Sequence, residues 1–250
     1  MPYDPTIEIL ADAGTLASTA ATLFAVQAEK AVAAHGRFTV ALAGGTTPNA
    51  LYERLATDYR DAVPWHAIHF FWGDERHVPP AHPDSNFRAA YEAMLSRVPV
   101  PEAHIHRIHA ELPDAAIAAL EYEWTLRREF AVDEAALPVF DLVLLGLGPD
   151  GHTASLFPGS AALHRTERLV LAPWIEKAQS YRITLSLPVL NHALLVAFLV
   201  SGASKAEVVR AVLEGPDQPD AVPARAVHPS GGRLLWLVDR AAAAQLRSSV

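Results

Sequence analysis

The feature that most constrains this chain is a repeated alternation of two kinds of segment. Short runs that are apolar, β-branched or aromatic at nearly every position alternate with longer Ala-rich stretches. The runs at 38–43, 68–72, 142–147, 169–172, 182–187, 194–200 and 234–238 read as strands, and the stretches at 16–35, 48–59, 85–96, 115–130, 205–214 and 240–246 as helices. A strand with one wet face alternates apolar and polar residues. Several of these runs do not, as expected of parallel strands covered on both faces. The pattern predicts an α/β fold: a three-layer α/β/α sandwich around a mainly parallel, Rossmann-like sheet. Pro-rich stretches at 78–84 and 215–223 read as surface loops. Neither divides regions of different composition, so residues 1–250 are expected to form one domain.

Composition narrows the function classes. The chain has 250 residues, 51% hydrophobic and only 19% charged, which is a globular balance rather than a disordered one. It has no cysteine, which excludes disulfides, thiolate metal sites and a cysteine nucleophile. The N-terminus lacks the basic start and apolar run of a signal peptide, and no apolar run reaches the roughly 18 residues of a spanning helix. A soluble, cytoplasmic protein is expected. The formal net charge is −8, so nucleic acid and anionic membranes are not expected partners. A small anionic substrate stays open, because beyond about 8 Å net charge is screened and the local site decides.

In open α/β sheets, ligands bind at the carboxyl ends of strands. Four strand ends carry unusual residues. The first is Ala43-Gly44-Gly45-Thr46-Thr47-Pro48, two glycines leading into a helix start. Glycines let a backbone approach a ligand, and helix N-terminal amides favour a phosphate; a plain tight turn is the other reading. The second is Gly73-Asp74-Glu75-Arg76-His77, four ionisable groups directly after an apolar strand. Arg76 suits a phosphate and Asp74 suits sugar hydroxyls or proton transfer, although such runs are often solvated loops. Further on, Asp84-Ser85-Asn86 suits a cap on the following helix.

The third strand end is Gly146-Leu147-Gly148-Pro149-Asp150-Gly151-His152. It matches the dinucleotide pattern G-x-G-x-x-G. Pro149 removes a backbone donor, Pro158 interrupts the helix that should follow, and the next strand ends in Pro173-Trp174 rather than a ribose-binding acid. The better reading puts the chemistry on Asp150 and His152. Imidazole titrates near neutrality, and an adjacent carboxylate orients it and stabilises its protonated form. The fourth is Ser201-Gly202-Ala203-Ser204-Lys205, where Lys205 sits at a helix start against the dipole. A bound anion would offset that placement; a solvated lysine is the alternative.

Together, Ala-Gly-Gly-Thr-Thr-Pro (43–48), Trp-Gly-Asp-Glu-Arg (72–76), Asp-Ser-Asn-Phe (84–87) and Gly-Leu-Gly-Pro-Asp-Gly-His-Thr-Ala-Ser-Leu-Phe-Pro (146–158) resemble the 6-phosphogluconolactonase family. Segments around Arg182-Ile-Thr-Leu, Lys205-Ala and Val222-Pro-Ala-Arg225 are similar to it too. The resemblance runs over nearly the whole chain, in order. It implies hydrolysis of 6-phospho-D-glucono-1,5-lactone in the oxidative pentose phosphate pathway, without metal or organic cofactor, by a monomer. It implies His152 as general base with Asp150 beside it. Gly44, Gly45, Thr46, Asp74, Arg76, Asn86 and Lys205 would surround the substrate, and Arg182 would add a phosphate contact. The chemistry is coherent: a lactone is an activated ester needing a positioned water, a base and oxyanion stabilisation. The nucleophile signature G-x-S-x-G and the zinc signature H-E-x-x-H are both absent.

Three rival readings remain. Glucosamine-6-phosphate deaminase shares the fold and similar motifs, but there an acid follows the His, where this chain has Leu156-Phe157-Pro158. Phe157 cannot carry a proton. A non-catalytic sugar-phosphate sensor would tolerate loss of the base, yet Asp150 and His152 are both present. Finally, His104-Ile-His106-Arg-Ile-His109 has ligand-like spacing, among 12 histidines in the chain. Partner ligands are not assignable from sequence, and no functional metal is expected.

Overall fold

The structure, a computed structural model, describes residues 5–247. In chain order its elements are β1 (Thr6–Leu10), α1 (Ala13–His35), β2 (Phe38–Leu42), α2 (Thr46–Thr57), β3 (Ile68–Trp72), β4 (Asp74–Arg76), α3 (Asn86–Ala93), α4 (Ala115–Phe130), β5 (Leu142–Leu145), β6 (Val170–Leu171), β7 (Trp174–Ile175), β8 (Ser180–Leu185), α5 (Leu187–Leu190), β9 (Leu195–Val200), α6 (Ala206–Glu214) and β10 (Arg233–Asp239). The central sheet has the order β1-β10-β9-β5-β2-β3, and every neighbouring pair in it is parallel. Helices flank it in an α/β arrangement, as the runs of buried residues predict. Strands β2, β5 and β9 are buried at every position.

Local chemistry sets the helix limits. α1 begins where the Asp12 carboxylate accepts from the Thr15 amide at 2.7 Å, and ends at Gly36 in the left-handed region with φ 84°. Its buried residues, Leu16, Ala17, Ala20, Ala21, Phe24, Ala28 and Ala31, recur at helical spacing and face the sheet. Small alanines let the helix lie close on β1, β2 and β10. The Phe198 and Trp236 rings stack at 4.0 Å between the neighbouring strands β9 and β10.

The structure corrects the sequence reading at four places. The runs at 169–172 and 182–187 are not in the parallel sheet. They supply β6 and β8 to a separate antiparallel sheet of order β4-β8-β6, with β7 paired to β8 as a hairpin. The charged run after β3 includes a strand, β4, instead of being only a loop. An edge strand, β1, lies in a stretch whose exposed Thr6 and Glu8 hid it. Residues 240–246 form turns rather than a helix. That segment is too short to hold a helix on propensity alone, and the buried Asp239 carboxylate instead caps a turn by accepting from the Ala242 amide at 2.7 Å.

The sheet order also locates the site. From β2 the chain proceeds through α2 to β3 on one side, whereas β5 is followed by β9 and β10 on the other. The reversal falls between β2 and β5, and a crevice opens there at the carboxyl ends of the strands.

Candidate active site

A cleft of about 560 Å³ occupies that crevice. Gly44, Gly45, Thr46, Asp74, Arg76, Asn86, His152, Arg182 and Lys205 all line it, drawn from segments far apart in sequence. Asp150 does not line this cleft. It stands behind His152, at the edge of a second, more apolar cavity.

The His152 loop is built by short-range bonds. The Gly148 amide donates to the His152 carbonyl at 2.8 Å, and the Thr153 hydroxyl donates to the Gly146 carbonyl at 2.9 Å. The imidazole lies directly over Gly148: a Cβ there would come within 1.9 Å of Nδ1, so this glycine makes room for the ring rather than for a nucleotide. Phe157 stacks on the imidazole at 4.1 Å and 23°. Ala154 is held in the left-handed region with φ 45°, a local strain of the kind found at functional sites.

Asp150 sets the state of the histidine. Its Oδ1 lies 2.5 Å from His152 Nδ1, and its Oδ2 accepts from the Lys177 ammonium. Burial pushes the Asp150 carboxyl up, but the Lys177 and His152 hydrogen bonds outweigh it and hold the pKa at about 2. An ionised carboxylate only accepts hydrogen bonds, so Nδ1 must carry the proton and Nε2 is left as the basic nitrogen. Burial lowers the His152 pKa, against the opposing pull of Asp150. The neutral, basic form is thereby favoured.

β4 separates the roles of two adjacent acids by strand alternation. Asp74 points to the cleft, where it accepts from the Ser155 hydroxyl at 2.6 Å and from the side-chain Nδ2 of Asn86 at 3.3 Å. Glu75 points inward and is 2% exposed. It accepts from the amides of Arg76, Asn86 and Phe87 at 2.8, 2.7 and 2.8 Å, and from the Ser85 hydroxyl at 3.0 Å. Glu75 therefore braces the start of α3, while Ser85 caps that helix by accepting from the Arg88 amide at 3.1 Å. Asn86 packs so tightly on Gly44 that a Cβ there would meet its Oδ1 at 1.8 Å.

The positive groups follow the same topology. Arg76 and Arg182 are register partners across β4 and β8, so two guanidinium side chains emerge on one face. Burial and then the Arg76 charge lower the Arg182 pKa. Lys205, in the turn between β9 and α6, donates to the Leu147 carbonyl at 2.7 Å on the other side of the cleft. Gly45 precedes α2 without any side-chain cap, leaving the helix's first amides open to the cleft. The arrangement offers a neutral imidazole beside a carboxylate, with separated donors for an anionic group.

The sequence of this chain matches the family described as glucosamine-6-phosphate isomerases/6-phosphogluconolactonase over residues 11–236. It is 43% identical to a 6-phosphogluconolactonase of Synechocystis, covering 97% of this chain and 99% of that protein. It is 41% identical to one of Nostoc, covering 96% and 98%. The chain belongs to the 6-phosphogluconolactonase family. Among solved structures, the Trypanosoma brucei 6-phosphogluconolactonase superposes with a TM-score of 0.86 at 31% identity, covering 98% of this chain and 100% of that one. A monomeric glucosamine-6-phosphate deaminase superposes at 0.80 with 21% identity, which shows a shared fold alone.

Within this 6-phosphogluconolactonase-family fold, three cleft residues lay outside the sequence reading's candidates. Lys177 lies just past β7 in the β7–β8 hairpin, with no strand-end or glycine signal to single it out. Its ammonium also sits 4.7 Å from the centre of the Phe157 ring. Ser155 and Phe157 lie inside the motif of the third strand end, but their contacts with Asp74 and His152 depend on the loop's path. Conversely, the structure divides the histidines at 104, 106 and 109. His109 pairs with Glu121 at 2.6 Å, while His104 and His106 gather around His69.

Proposed function

We propose that this chain hydrolyses 6-phospho-D-glucono-1,5-lactone to 6-phosphogluconate, the lactone step of the oxidative pentose phosphate pathway, with His152 as general base. The observation that carries the reading is the Asp150–His152 pair at 2.5 Å, with its basic nitrogen left free inside a cleft flanked by Arg76, Arg182 and Lys205. Nε2 takes a proton from water as the water oxygen bonds to the lactone carbonyl carbon. The resulting oxyanion is stabilised by donors at the cleft wall, among them the open amides at the start of α2. Collapse breaks the bond to the ring oxygen, and the imidazolium returns its proton to that leaving oxygen. Asp150 stabilises the imidazolium between the two transfers. No covalent enzyme intermediate is needed.

The paired Arg76 and Arg182 repel each other across β4 and β8, and a phosphate between them would offset that repulsion. Lys205 supplies a further donor; Asp74 and Asn86 suit the sugar hydroxyls. Phe157 supports this reading over deamination, since it packs on His152 where a proton-carrying side chain would be needed.

The test is a pH-stat assay with freshly prepared phosphogluconolactone, corrected for spontaneous hydrolysis. Loss of general-base help is worth about 10²–10⁴-fold, so His152→Ala should lower kcat by that order while circular dichroism stays native. Near-normal turnover by that variant refutes the assignment. Ammonia release from glucosamine 6-phosphate at a comparable rate would instead favour the deaminase.

A further inference from the structure

We propose that His69, His106 and Glu129 form a binding site for one divalent transition-metal ion of the zinc, nickel or copper type. The site lies outside the lactone cleft: His69 is four residues, about 13 Å, back along β3 from Gly73. It is built by an extra length of chain beside the edge strand. Phe70 pairs in parallel with Ile105, and the His106 amide donates to the Phe70 carbonyl at 2.8 Å. That register turns His69, His104 and His106 to the same face, where the rings of His69 and His104 stack at 4.0 Å. The last turn of α4 brings Glu129 over them.

The donor atoms already stand at coordination spacing. His69 Nδ1 and His106 Nε2 are 3.0 Å apart, and His106 Nε2 and Glu129 Oε2 are 3.8 Å apart. Tetrahedral ligands with bonds of about 2.0–2.1 Å are separated by about 3.3 Å, between those two values. All three donors lie within 4.8 Å of one another, so a small rotation of the Glu129 side chain closes the set. His104 stacks on the His69 ring and stands outside this set of three donors. Two imidazoles and a carboxylate suit a borderline metal rather than magnesium or calcium.

Two cations stand nearby. Arg37 donates to the Glu129 carbonyl at 2.9 Å, and Arg128 pairs with Glu129 Oε1 at 2.9 Å. Arg128 is largely exposed and engages the carboxylate oxygen that does not face His106, so Oε2 stays available.

Isothermal titration of EDTA-treated protein with zinc chloride, then nickel chloride, tests the site. One saturable site per chain is expected. Disturbing even a group behind a metal ligand weakens binding about 10–100-fold. His69→Gln and Glu129→Gln should each therefore weaken it at least about tenfold, while His152→Ala leaves it unchanged. Circular dichroism and lactone hydrolysis, both expected to be unchanged in His69→Gln and Glu129→Gln, show that these variants are folded. Absence of a saturable 1:1 site in the wild-type protein overturns the proposal. So does binding that survives both substitutions, or that is lost in His152→Ala.

Discussion

In the proposed mechanism His152 depends on its neighbours, and the effect of those neighbours can be tested. Asp150, held near a pKa of about 2, stays ionised through the working range and keeps the proton on Nδ1. Burial depresses the His152 pKa, so the base remains neutral below the ordinary imidazole value of about 6.5. Activity should accordingly persist to pH values below that point and fail as the ring protonates. The Lys177 charge contributes to the depression. Replacing it by an uncharged side chain, Lys177→Met, should raise the His152 pKa and move the acidic limb of the kcat/KM profile to higher pH. A limb that stays in place, or moves down, would show that Lys177 does not act on His152. The residue types at the four strand ends were legible because glycines, acids and cations are conspicuous after apolar runs. Lys177 was not, because nothing local marks a lysine just past a two-residue strand.

Among the elements, β4 is short but divides its side chains between the cleft and the interior. Three residues present Asp74 and Arg76 to the cleft and bury Glu75 against the start of α3. Glu75→Ala would leave the Asn86 and Phe87 amides and the Ser85 hydroxyl without their acceptor. A buried unpaired donor costs about 1–3 kcal/mol, so a net loss of about 3 kcal/mol or more is expected. For a chain of this size that lowers Tm by roughly 6–12 °C by calorimetry, and Glu75→Gln, which keeps one acceptor oxygen, should lose less. Equal Tm values for the two variants and the wild type would remove Glu75 from this role. The sequence showed four charges in a row and could not show which faced inward. That depends on pairing with β8, about 100 residues later in the chain.

For the whole molecule, the cleft joins two sheets, and a ligand that spans it should stabilise the assembly. Arg76 and Arg182 belong to the antiparallel sheet, while Lys205 and the α2 amides follow strands of the parallel one. A ligand at about 100 times its Kd adds about 2.7 kcal/mol to stability. Saturating 6-phosphogluconate should then raise the wild-type Tm by roughly 5–10 °C. The shift should be largely absent for unphosphorylated gluconate and in the Arg76→Ala, Arg182→Ala double variant. An equal shift with gluconate would mean that the phosphate is not what the arginines hold.

By itself the sequence determined the layered α/β class, because uniformly apolar strands must be covered on both faces. It also pointed to where a cleft would open, because a parallel sheet leaves its strand ends open where the connections reverse. Tertiary structure alone decided that β6 and β8 leave the parallel sheet to carry Arg182 opposite Arg76, and that Lys177 reaches Asp150. It also decided that His106 meets His69 while His109 turns away to Glu121. Each of these joins residues from segments distant in the chain. Local pattern records what a segment buries, but not which distant segment will cover it.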